Sequence, residues 1–108
     1  MIYTIANVTT NAGVPKALAA TRTVANWVQV TALAGNTGAN VWIGGVNPAS
    51  KGTTLVLASA TVGVGIQLAK GSTLLIPGIS AVPYLDLSTI YFDVLNNGDG
   101  VSITYAVR

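Results

Sequence analysis

Residues 88–107 read STIYFDVLNNGDGVSITYAV, two runs rich in β-branched and aromatic residues on either side of the cluster Asn96, Asn97, Gly98, Asp99, Gly100. Alternating side chains bounded by turn formers predict a β-hairpin. If Asn97-Gly98 is the two-residue type I′ turn that Asn-Gly favours, Asn96 faces Asp99, and the ladder runs Val94 with Val101, Phe92 with Ile103, Ile90 with Tyr105. All six apolar side chains then share one face, with Asp93, Tyr91, Ser102 and Thr104 on the other. A slip of one residue would set Phe92 opposite Thr104, so turn chemistry and apolar pattern select the same register. Such a hairpin is marginal alone, and the rest of the chain must supply a second sheet to cover it.

Working outward, residues 24–33 predict another strand, with Val24, Val28, Val30 and Ala32 toward one face and Trp27, Gln29 and Thr31 toward the other; broken alternation at Ala25-Asn26 suggests a bulge. The turn Gly35-Asn36-Thr37-Gly38 leads into residues 40–44, which predicts a second hairpin. Val41 and Ile43 point one way there and Trp42 the other. Residues 53–58, 65–69 and 72–76 are further strand candidates, the last two joined by a tight turn at Lys70-Gly71. Pro15 and Pro83 confine their neighbourhoods to edge strands or loops. Residues 1–8 form a first edge strand or an N-terminal contact arm.

Seven to eight short strands, turn signals every eight to twelve residues or so and no helical period argue an all-β fold, an antiparallel β-sandwich with jelly-roll-like winding. At 108 residues the chain makes one domain, 1–108.

Charged residues make up 7% of the chain, against about 25% in an ordinary soluble domain. So few ionic groups cannot dress a whole surface, which implies that part of it is covered by partners; a neutral polar exterior is the simpler alternative. The pI of 9.2 reflects five isolated cations, Lys16, Arg22, Lys51, Lys70 and Arg108, against three aspartates. No basic cluster supports nucleic-acid binding. The opening Met1-Ile2-Tyr3-Thr4 shows no basic region followed by an apolar core and a small-residue cleavage site, so no signal peptide is evident. Thr, Ser, Gly and Gln interrupt the long charge-free run 52–69, so no spanning helix and no membrane partner is expected.

Catalysis finds little to work with. Cysteine, histidine and glutamate are absent, which removes the usual ligands of zinc and the base of a serine or cysteine nucleophile. Asp93 and Asp99 could serve as a glycosidase pair only if they met in space. The loop 93–104 fails as a calcium site because Leu95 and Thr104 fall where carboxylates belong. No enzyme activity, cofactor or metal is expected. Candidate partner contacts are Ile2, Tyr3 and Ile5 on the first strand, with the aromatics Trp27, Trp42 and Tyr84; core packing is the competing reading of each tryptophan.

From about Val8 onward the punctuation resembles small tailed-bacteriophage virion proteins of the capsid decoration, or cement, type. The resemblance is carried by Arg22, Val28 to Val30, Asn36-Thr37-Gly38 and Val41-Trp42-Ile43-Gly44. It continues through Gly65-Ile66-Gln67-Leu68-Ala69-Lys70-Gly71, Leu87, Ile90-Tyr91 and Gly100-Val101-Ser102, with no matching pattern between Asn47 and Gly63. It implies a non-enzymatic, homotrimeric protein on the capsid surface, made in the host cytoplasm, that binds the major capsid protein and stabilises the shell. A carbohydrate- or receptor-binding module of a phage head or tail fibre is the alternative.

Overall fold

A computed structural model describes residues 1–47, 53–54, 65–77 and 85–107. They form β1 (Ile2–Thr9), β2 (Lys16–Ala17), β3 (Val24–Ala25), β4 (Trp27–Ala32), β5 (Asn40–Gly44), β6 (Val46–Asn47), β7 (Thr53–Thr54), β8 (Ile66–Ala69), β9 (Thr73–Pro77), β10 (Leu85–Asp86), β11 (Tyr91–Val94) and β12 (Gly100–Ala106), with a 3₁₀ turn at Leu87–Thr89. The fold is all-β. A first sheet of order β1-β12-β4-β9 faces a second of order β2-β11-β5-β8, and the small pairs β10-β3 and β6-β7 flank them; every pairing is antiparallel.

Neither expected hairpin forms. β11 pairs with β5 and β2, whereas β12 pairs with β1 and β4, so the two halves of the stretch 88–107 lie in opposite sheets. The same holds for β4 and β5, and for β8 and β9 across Lys70-Gly71. The Asn97-Gly98 turn itself is present, closed by the Asp99 N–H donating to the Asn96 carbonyl at 3.3 Å. Gly98 has φ +85° while Asn97 stays at negative φ, the sign pattern of a type II turn. That twist splays two strands instead of pairing them. The break at Ala25-Asn26 is likewise a change of strand: β3 pairs with β10 before β4 joins β12.

Four crossings, β1 to β2, β11 to β12, β4 to β5 and β8 to β9, lie side by side at one end of the sandwich and are bonded to one another. Thr10 N–H donates to the Asp99 carbonyl at 3.1 Å and Gly98 N–H to the Thr10 carbonyl at 2.9 Å; Gly71 N–H reaches the Ala32 carbonyl at 2.8 Å and Lys70 N–H the Ala39 carbonyl at 3.0 Å. The chain is therefore an antiparallel ribbon rolled up so that its first strand lies beside its last.

The apolar pattern is satisfied by this arrangement as fully as by a hairpin. Val28, Val30, Ala32, Val101 and Ile103 descend from the first sheet and Val41, Ile43, Leu68, Phe92 and Val94 from the second, all into one core with Leu18, Ala25 and Leu87. Each fully buried Val, Leu, Ile or Phe contributes roughly 1.5–3 kcal/mol. Val24, expected on the inward face, is instead exposed.

Candidate interaction surface

The outward face of the first sheet can be read from its registers. One row runs Ile2, Ala106, Trp27, Pro77; the next runs Thr4, Thr104, Gln29, Leu75; a third holds Ser102, Thr31 and Thr73. None of these side chains is ionisable. Ile2 is 63% and Leu75 52% exposed, and Trp27 is half-buried. Hydroxyl pairs bind the strands across this face, Thr31 to Thr73 at 2.8 Å and Thr4 to Thr104 at 3.2 Å. Trp27, Gln29, Leu75 and Pro77 line a shallow hollow of about 280 Å³.

Of the sequence candidates, Ile2 and Trp27 thus meet on one face. Tyr3 lies on the opposite side of β1, its ring stacked on that of Tyr105 with centroids 5.6 Å apart and planes at 28°. Ile5 is half-buried and packs against the core. Trp42 is buried on the second sheet, directly across the ladder from Asp93, so the packing reading holds for it. Tyr84 lies outside the described residues. Sequence reasoning missed Leu75 and Pro77, whose side chains join Trp27 only through the β4-β9 register; nothing local marks them.

The three aspartates are widely committed as acceptors. Asp99, 4% exposed, receives the Thr37 N–H at 2.9 Å, the Thr37 hydroxyl at 3.2 Å and the Gly38 N–H at 2.7 Å. Beside it Asn36 and Gly100 bond reciprocally, Nδ2 to carbonyl at 3.0 Å and N–H to Oδ1 at 2.9 Å. Asp93 accepts the Gly13 N–H at 3.1 Å and the Val94 N–H at 2.8 Å, fixing the β1-β2 crossing over the second sheet. Asp86 caps the 3₁₀ turn, accepting from the Ser88 hydroxyl at 2.8 Å, the Ser88 N–H at 3.0 Å and the Thr23 N–H at 3.1 Å, with Arg22 3.9 Å away. The Ser88 hydroxyl first, then the Ser88 and Thr23 N–H groups and Arg22, hold its carboxyl below the usual value against a smaller opposing effect of burial. These carboxylates bind backbone, and their chemistry is that of clamps between loops. Among the described residues no cluster of three metal-ligating side chains occurs, and no helix is long and apolar enough to cross a membrane.

Compared with protein-family models, characterised proteins and solved structures, the chain gives no significant match.

Proposed function

We propose that this chain is a non-enzymatic structural protein of a bacteriophage virion, a decoration protein that binds the major capsid protein on the outer surface of the head and stabilises the shell. In this reading the rolled ribbon is a jelly roll, and the protein is made in the host cytoplasm and carried on the particle. The observation that supports it most is the uncharged outward face of the first sheet, where Ile2, Trp27, Leu75 and Pro77 leave apolar surface in water. An apolar patch rimmed by Thr, Ser and Gln suits a protein partner, since little desolvation of charge opposes contact.

The test is cosedimentation of purified protein with phage heads stripped of minor proteins. Wild type should travel with the heads and raise the temperature at which they release DNA. L75K, which puts a charge in the patch at an exposed position, should remain folded and stay in the supernatant. Heads that ignore the wild-type protein would rule the reading out.

The hollow at Trp27 favours one other reading, a carbohydrate-binding module in which the indole stacks on the apolar face of a sugar ring and the Gln29 amide meets its hydroxyls. Glycan-array binding by wild type that is lost in W27A would select it over capsid decoration.

A further inference from the structure

The outer edge of β1 is a backbone template that is open at one end and blocked at the other. Met1 and Val107 exchange both backbone hydrogen bonds, at 2.8 and 2.9 Å. Alternation along the antiparallel ladder then turns the N–H and C=O groups of Tyr3 and Ile5 toward β12, and those of Ile2 and Thr4 outward, away from the sheet. The same parity is visible on β12, where the Ala106 carbonyl accepts from Asn26 on the β4 side at 2.8 Å.

Past Ile5 the edge closes. Three steps on β1, Ile5 to Val8, oppose two on β12, Ile103 to Val101, and Asn7 takes φ +56°, a bulge that turns the strand. Beyond it the outward Thr9 carbonyl accepts from Lys16 Nζ at 3.0 Å, so a cation occupies the far end of the edge. Bulges and lysines are the usual protections of an edge strand. Ile2 and Thr4 have neither.

We propose that a second copy of this chain occupies this opening, β1 against β1 in antiparallel register about a two-fold axis through Tyr3. Ile2 and Thr4 stand one residue to either side of that axis. Each Ile2 therefore faces Thr4 of the second copy, and the outward N–H and C=O groups of the two residues match without a gap. Residues 1–5 carry no charged side chain, so symmetry brings no like charges together. Tyr3 meets Tyr3 of the second copy at a non-hydrogen-bonded position, where side chains come closest, and the Tyr3–Tyr105 stack becomes a row of rings crossing the axis. Met1, the most exposed large apolar side chain among the described residues at 78%, comes opposite Ile5 of the second copy, at the mouth of the apolar groove that Ile5 and Val8 line with Leu18 and Ala19. An isologous contact of this kind closes as a dimer, in place of the three-fold assembly that the phage resemblance implies. The inference stands on the geometry of the β1 edge and is independent of capsid binding.

Sedimentation equilibrium of the untagged protein tests it. Wild type should sediment as a dimer. I2K/T4K sets like charges against each other across the axis and should weaken association by about tenfold or more, whereas I2K/T4E sets opposite charges against each other and should keep the dimer. Both changes fall on exposed side chains, and an unchanged urea midpoint under monomeric conditions confirms folding. A wild type that is monomeric or trimeric, a dimer indifferent to I2K/T4K, or an I2K/T4E protein as weak as I2K/T4K would overturn the two-fold at Tyr3. The capsid reading fails separately, by absence of wild-type cosedimentation with heads whatever the oligomeric state.

Discussion

Asp99 shows how a single buried carboxylate decides the path of the chain. Its oxygens face the Thr37 and Gly38 N–H groups and the Thr37 hydroxyl, so one residue ties the crossing from β11 to the crossing from β4. In D99N an amide NH₂ replaces an acceptor, and a backbone donor loses its partner inside the protein. The expected cost is about 1–3 kcal/mol, read as a lower urea midpoint with an unchanged slope. Asp86 predicts a dependence on pH. Its folded carboxyl titrates below the ordinary 3.8, so the folded state keeps the charge where the unfolded chain has already taken up a proton. The resulting stabilisation is full above the ordinary value and is lost as pH falls through the depressed folded one. D86N should therefore melt below wild type at neutral pH, and the two melting curves should converge as pH falls well under 3.8.

Elements show what the sequence could and could not convey. Strand positions were legible: β8, β9, β11 and β12 fall where alternation and turn residues put them, Pro15 does precede an edge strand, and Phe92, Val94, Val101 and Ile103 are all fully buried. Pairing was not. Alternation states which side chains leave water, and a hairpin over a second sheet buries the same residues as two strands folded across the core. The deciding contacts, Asp99 to Thr37 and Asn36 to Gly100, join residues about sixty positions apart, beyond any local pattern. Trp42 illustrates the same limit, because alternation placed it opposite Val41 and Ile43 and could not foresee that this face, too, is buried at Trp42 and Asp93. The Asn97-Gly98 turn retains its importance in the new role. Gly98 sits at φ +85°, a region closed to β-branched side chains, although a Cβ there would meet nothing within 4 Å. G98V should thus cost about 1–3 kcal/mol from backbone strain alone, and G98N, which tolerates the left-handed region, should recover much of it. Equal losses in the two variants would place the cost in lost packing instead.

The whole molecule folds under a constraint set by its winding. In the two main sheets the ladders join Ile2 to Ala106, Trp27 to Pro77 and Asn40 to Ala69, and the short connections from β4 to β5, β8 to β9 and β11 to β12 each cross to the opposite sheet, so no tight hairpin can nucleate either one. The first strand cannot dock until β12 exists, and β12 needs β4 on its other side. Loop closure must precede most of the stabilising burial, which is the circumstance that slows all-β domains to the millisecond-to-second range. Refolding from urea by stopped-flow tryptophan fluorescence should accordingly relax on that scale, with Trp42, sealed in the second sheet, reporting the closure. The four bonded crossings offer the shortest route to a first long-range contact, because Asp99 and Asn36 each link two of them. If that end of the sandwich forms in the transition state, D99N lowers the folding rate and leaves the unfolding rate nearly unchanged; if the sheets assemble first, the same variant accelerates unfolding. The scarcity of charge favours the first outcome: few ionic groups guide the sheets together, and the directed hydrogen bonds that specify register are concentrated where the ribbon folds over.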